Sequence, residues 1–340
     1  MFTSSGVRSA TAFGSARLNL KFFEELPWRD AAGAPVIGGR TPLDLSEISG
    51  DDRLATMAAR ALRECAAAPP VAARGAAGEP PAPLLLCLPA PEPDLPPRPA
   101  AEMLSAIAAE AGAPINLPAS RTFASGRAAI FDALEEADRL LSSRSAASVY
   151  LGGVDSLVDR EVLDRWLRAG RLKTSTTEGL IPGEGAAFLR VGRDGVPGAL
   201  ATVAGVARAQ EPRTRDDGEP NIGAGLAAAA RDALAAAALP ATEVSAIIHD
   251  AAGDRFGFRE ATLAIARLQA RAEPPPLIAS TASSAGELGA ATGPFALGLA
   301  AFFLRHGVTD GPATLVLGTS EGTERGAAVV TRARTARGGR

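Results

Sequence analysis

In the second half of the chain, short apolar runs rich in β-branched residues alternate with longer stretches of helical spacing. Residues 201–209 (ATVAGVARA) read as a strand, and residues 224–239 as a helix stopped by Pro240. Residues 245–249 (SAIIH) form a second, buried strand. Apolar positions recur at helical spacing over residues 259–272 until Pro274, Pro275 and Pro276 break the pattern, and residues 277–280 (LIAS) are a third strand. Residues 288–305 are a long Ala/Leu/Phe helix ending near Gly307. Residues 313–317 and 326–331 then close the series as two strands around a Gly/Thr/Glu turn. The rhythm is β-α-β-α-β-α-β-β.

The first half repeats this rhythm less cleanly. Residues 7–13 read as a first strand, residues 51–66 as a helix, and residues 84–88 (LLLCL) as an unbroken apolar strand of the kind buried on both faces. The Pro-, Ala- and Gly-rich stretches 67–83 and 89–99 read as loops. Residues 100–111 and 127–141 have helical spacing, while 148–152 (SVYLG) and 185–191 (GAAFLRV) read as strands. The expected organisation is an α/β protein of two similar halves, residues 1–198 and 199–331. Residues 332–340 (RARTARGGR) read as a disordered, solvated Arg-rich tail.

Composition narrows the function classes. Of 340 residues, 46% are hydrophobic and 21% charged, as in globular proteins. A formal net charge of -3 gives no global footprint for nucleic acid or an anionic membrane, and with 4% aromatics stacking platforms for single strands are not expected. The longest apolar run, residues 295–304, is about half of what spans a bilayer. Residues 1–16 lack the unbroken apolar core of a signal peptide, so the chain reads as cytoplasmic. Cys65 and Cys87 are too few for a disulfide scaffold and lack metal-site spacing, so both read as buried apolar residues. No metal or other cofactor is expected.

Five segments carry a resemblance. They are RTFASGRAAIFDAL from Arg121, VYLGGVDSL from Val149, EGLIPGEGAAFLRV from Glu178, HDAAGDRFGFRE from His249, and STASSAGELGAATG from Ser280. In this order they resemble the β-ketoacyl synthases of the thiolase superfamily. The resemblance implies a thiolase fold, two βαβαβαββ halves related by a pseudo-two-fold in a five-layered α-β-α-β-α arrangement, and a homodimer or heterodimer. It also implies that residues 116–122 form a strand pairing across the dimer axis, and that the nucleophile sits on a tight strand-to-helix turn. Helix N-termini lower thiol pKa values and stabilise oxyanions, which suits such a turn.

The same resemblance exposes departures. The nucleophilic Cys of a 3-oxoacyl-ACP synthase, an acyltransferase, would stand immediately before Ala124, Ser125 and Gly126, and here that position is Phe123. A phenyl ring forms no thioester. Thr122 and Ser125 are neighbouring hydroxyls with no local histidine to activate them. The first family histidine is matched by His249, eleven residues before Glu260, where the family also has a Glu. Glu287 replaces the second histidine after Gly286, and Ala282 replaces the family Lys. A carboxylate at that position would repel the oxyanion it should stabilise. If His249 faces Glu287, the carboxylate favours the charged imidazole, as a vestigial polar pair or as a general-base dyad. Ser125 and Gly126 hold the oxyanion-turn positions, and Gly152, Gly153, Gly183, Gly185, Gly286 and Gly318 read as structural, as does Glu184. His306, after Arg305 at a helix end, suits the dipole there. The stretch Gly318 to Gly326 (GTSEGTERG) matches the glycine-rich turn closing the family site without its Gly-Phe-Gly.

Three functions follow. The first is a catalytically inactive partner or scaffold. It would be a chain-length-factor-like partner of a ketosynthase, or an adaptor of a bacterial assembly such as a secretion system. The second is an acyltransferase, decarboxylase or thioesterase on acyl carrier protein or CoA thioesters using His249 and Glu287. The third is a homodimeric protein binding a small acyl ligand. The first is the reading adopted, with a ketosynthase-like protein as partner, acyl carrier protein as a further candidate, and no nucleic acid or membrane.

Overall fold

Apolar runs that would be insoluble alone are stacked here into two five-stranded sheets. The computed structural model describes residues 1–42, 48–67, 80–91, 99–269 and 273–333. The first half runs β1 (Phe2–Thr3), α1 (Ser9–Arg17), β2 (Glu24–Arg29), β3 (Pro35–Gly38), α2 (Gly50–Ala67), β4 (Leu84–Cys87) and α3 (Ala100–Ala111). It continues with β5 (Arg121–Phe123), α4 (Ala129–Ser142), β6 (Ser148–Ser156), α5 (Arg160–Arg168) and β7 (Glu184–Gly192). The second half runs β8 (Ala201–Gln210), α6 (Ala224–Ala236), β9 (Val244–His249), α7 (Arg255–Gln269) and β10 (Leu277–Ser280). Its remaining elements are α8 (Ala282–Ala285), α9 (Thr292–Arg305), β11 (Ala313–Thr319) and β12 (Glu324–Arg332).

Strand order is β1-β7-β6-β4-β5 in one sheet and β8-β12-β11-β9-β10 in the other. In each, three neighbouring strands pair parallel, a fourth (β7 or β12) runs against them, and the edge strand (β1 or β8) pairs antiparallel to that fourth, so the sheets correspond strand for strand. Helices α2 and α3 cover the outer face of the first sheet and α6 and α7 that of the second, while α4 and α9 lie between the sheets and touch both. This is the five-layered thiolase arrangement.

The burial pattern explains each choice. β4 and β11 are buried throughout, as strands covered on both faces must be. α9 is apolar nearly all round because both sheets cover it. α4 is amphipathic: Ile130, Phe131, Leu134, Ala137 and Leu141 face the core.

The structure departs from the sequence reading in several places. Residues 9–13, expected in a strand, belong to α1, and the first strand is the two-residue β1 beside β7. Ala12 and Phe13 bury against α9, where a Cβ on Gly298 would lie 2.4 Å from Phe13 Cζ. Of the expected 116–122 strand only Arg121 and Thr122 pair, continuing to Phe123 as β5. Leu117–Ala119 is a 3₁₀ turn, because Pro118 removes a ladder donor. The hairpin β2–β3 and helix α5 were not anticipated. The tail from residue 334 onward, and parts of the two expected loops (residues 68–79 and 92–98), lie outside the described residues.

Candidate functional site

The carboxyl ends of β4, β5, β9 and β11 converge, and open α/β sheets place ligands at such ends. At the end of β5 the chain turns through Ala124, Ser125 and Gly126, whose φ is +60°, into a 3₁₀ turn and then α4. Phe123 is half-buried against the central core, and its carbonyl accepts from Leu88 N–H at 2.8 Å. Gly126 N–H donates to Leu88 O at 3.2 Å, so it is engaged with the backbone. Ser125 Oγ donates to Asp132 Oδ2 at 3.3 Å.

The next residue, Arg127, dominates the site. Its Nε lies 3.2 Å from Asp250 Oδ2, its Nη1 3.1 Å from Glu287 Oε2, and its Nη2 3.2 Å from Glu321 Oε1. Nη2 also donates to Thr319 Oγ1 at 3.2 Å. Asp250 accepts from Thr319 N–H at 2.6 Å, tying β9 to β11. Glu287 Oε1 accepts from Gly289 N–H at 2.8 Å and Thr292 Oγ1 at 3.2 Å, at the start of α9. Burial works against the Arg127 charge, but Glu287, Glu321, Asp250 and Asp254 outweigh it and hold the guanidinium above its ordinary range. Burial pushes Glu287 up to about 7, with Arg127 pulling the other way.

His249 stands apart from this cluster. Its Nδ1 accepts from Ala251 N–H at 3.2 Å, which places the proton on Nε2, and its ring meets Phe258 edge-on at 5.8 Å. No hydrogen bond or ion pair joins it to Glu287. Burial lowers its pKa, with Asp250 opposing, so the charged imidazole expected beside Glu287 is not favoured. Glu287 spends its charge on Arg127 instead.

The other singled-out positions are structural in their contacts. Ala282 opens α8 and brings no charge. Gly153 and Gly183 allow backbone approaches at which a Cβ would sit 2.2 Å from Ala290 O and 2.4 Å from Ala285 O, and Gly152, Gly185, Gly286 and Gly318 are likewise crowded. Glu184 is fully buried and accepts from Arg53, Thr41 and Ser156. Cys87 lies opposite Phe123 in the β4–β5 register, but burial pushes its thiol up, and Cys65 is raised by burial to about 12. Neither thiol is a nucleophile at neutral pH. Among the described residues no group of side chains could hold a metal ion.

Space confirms how full the site is. The cavity beside Arg127, Asp250, Phe256 and Glu321 measures about 20 Å³, room for about one water. A larger groove of about 540 Å³, lined by Pro81, Ile115, Pro118 and Ser148, lies at the opposite, amino-terminal ends of β4 and β6.

Residues 200–315 match the family described as β-ketoacyl synthase, C-terminal domain. The structure superposes on the ketosynthase from module 6 of the bacillaene synthase from Bacillus subtilis with a TM-score of 0.74 at 13% identity, covering 98% of this chain and 70% of that one. For the ishigamide ketosynthase/chain length factor the TM-score is 0.71 at 21% identity, with 98% and 97% covered. It has the thiolase-like ketosynthase fold. A ketosynthase in complex with its chain length factor from Xenorhabdus doucetiae is similar too, at a TM-score of 0.71 and 14% identity, over 97% and 96% of the two chains. No curated protein matches the chain in sequence.

On this ketosynthase fold, sequence reasoning found Phe123, His249 and Glu287 but missed Arg127 and Asp250. A signal for Arg127 existed. A cation in the first turn before α4 opposes the helix dipole and therefore needs acidic partners from elsewhere.

Proposed function

We propose that this chain is a catalytically inactive, chain-length-factor-like partner of a ketosynthase. The observation that carries the reading is the ion-pair cluster around Arg127, which leaves about 20 Å³ beside Arg127 and Asp250, while a condensing enzyme needs room for two acyl groups. The similarity to ketosynthase and chain length factor structures supports the partner class. β5 is an edge strand whose outer side has no strand partner among the described residues, and Leu117 beside it is 38% exposed. The protein would work in the cytoplasm as the non-catalytic half of a heterodimer, with acyl carrier protein a further binding partner. Among the described residues no helix is long and apolar enough to cross a membrane.

Co-expression with a Cys-containing ketosynthase from the same cells, followed by sizing of the purified complex, tests the reading. A one-to-one complex is expected, and mass spectrometry after incubation with acyl thioesters should show no acyl adduct on this chain. Self-association alone, or an acylated chain, would overturn it.

One observation favours a second reading. A carboxyl raised to about 7 is matched to general-base work at neutral pH, so Glu287 would serve a thioesterase. Thioester turnover lost in Glu287→Gln would support this, and absence of turnover in the unaltered protein would remove it.

A further inference from the structure

The turn between β11 and β12 carries Glu321, which is 40% exposed yet held by two guanidiniums from opposite sides. Arg127 Nη2 lies 3.2 Å from one carboxylate oxygen and Arg171 Nη2 2.8 Å from the other. The two arginines are fixed independently of Glu321. Arg127 is anchored by Asp250 and Glu287, and Arg171 lies over the Trp166 ring at 4.8 Å. A third arginine, Arg215, stacks over Phe256 at 4.6 Å and pairs with Asp254 at 2.6 Å. The Nε atoms of Arg171 and Arg215 are buried without an acceptor. The cluster thus has donor capacity to spare, around a carboxylate supplied by a surface turn.

We propose that the clamp of Arg127 and Arg171 is a binding site for a small monocarboxylate ligand, which enters by displacing the Glu321 side chain. Charge selects the ligand class. Arg127, Arg171 and Arg215 face Asp250, Asp254, Glu287 and Glu321, so the three guanidiniums already meet at least as many carboxylates as they can balance. Exchanging Glu321 for another singly charged carboxylate preserves that balance. A phosphate, at about -1.5 to -2, would exceed it. The Glu321 side chain is suited to leave, since Glu321 and Gly322 are exposed while the turn's backbone is held by Ser320 N–H to Glu324 O, Glu211 N–H to Thr323 O and Arg325 Nη1 donating to Gly322 O. The site goes beyond the pairing function and requires no partner chain.

The test uses the full chain and acetate as probe, against chloride at matched ionic strength. Glu321→Ala removes the internal competitor, so its unfolding midpoint should rise with acetate. Half-saturation should be on the order of tenfold tighter than in the unaltered protein, where a tethered carboxylate competes at millimolar effective concentration. Adding Arg171→Gln should abolish the rise. Should Glu321→Ala fold poorly, Glu321→Gln keeps the turn's bulk and removes the charge. In the unaltered protein, saturating acetate should speed amide hydrogen exchange over residues 320–323. The proposal is overturned by any of three results: no acetate-specific stabilisation of either variant, unchanged exchange in the turn, or phosphate stabilising Glu321→Ala as well as acetate does.

Discussion

A cation in the first turn before a helix faces the positive end of the helix dipole, so Arg127 is held by its partners rather than by its place in the chain. Arg127→Met would leave Asp250 and Glu287 buried without their counter-charge, at a cost of about 3 to 5 kcal/mol. Denaturant unfolding measures this. A loss below about 1 kcal/mol would show that the cluster does not hold the site together. Glu287 and His249 also set opposite pH dependences. Glu287 rises from an ordinary 4.5 to about 7, so its contribution is fully present below 4.5 and is lost as pH climbs to about 7, an effect of about 3 kcal/mol. His249 is lowered from 6.5, so its contribution is present above 6.5 and is lost as pH falls. Between pH 5 and 7 the two oppose each other. Stability measured across that window should therefore rise more steeply with pH in Glu287→Gln than in the unaltered protein, and should fall with pH in His249→Asn. Equal slopes in all three proteins would contradict the assignment.

At the scale of elements, backbone proximity decides which small residues matter. Gly152 in β6 faces Phe188 of β7, and an added Cβ would sit 2.1 Å from that ring. Gly152→Ala should cost about 1 to 3 kcal/mol through overpacking. Gly14 in α1 is the control, because nothing lies within 4 Å of its added Cβ. Gly14→Ala should stabilise by up to about 1 kcal/mol through helix propensity. Thermal unfolding of the two variants should move the midpoint in opposite directions, and a parallel shift would mean that crowding at β6 is relieved by movement of β7. The misreading of residues 7–13 belongs to this scale. ATAFGSA favours helix by its alanines, and the packing of Phe13 on Phe295 and Phe302 at 5.5 and 5.8 Å then fixes the face that turns inward.

For the whole molecule, the unpaired side of β5 is the surface on which the proposed pairing depends. Leu117→Glu places a charge beside that edge without touching the Arg127 cluster. It should weaken association with a ketosynthase partner at least about tenfold, or roughly 1.4 kcal/mol, with the monomer's unfolding midpoint unchanged. Sedimentation of mixed proteins measures this. An unaffected complex would place the interface elsewhere. The Arg127 cluster gathers residues from both halves, since Arg127 and Glu287 are 160 positions apart, so it also fastens the two pseudo-symmetric halves at their shared centre.

Much of this was legible in the chain itself. Periodicity marked the strand-helix rhythm of both halves because burial on both faces of a sheet demands continuous apolar strands such as LLLC and ATLVLGT. That Phe123, at the turn before α4, cannot act as a nucleophile needed no coordinates, since a phenyl ring has no lone pair to offer. The partners of Glu287 were not legible. Sequence order set it opposite His249, while the fold gave it Arg127, because ion-pair partners are chosen by distance across packed layers and carry no local pattern. The short edge strand β5 was likewise overread, as Pro118 acts through a hydrogen bond that only the neighbouring strand reveals. The strand-helix order of the second half and the absence of a thiol at the turn were therefore determined by the sequence alone. Which charges meet, how little space they leave, and where Glu321 is clamped were decided only when the two halves packed together.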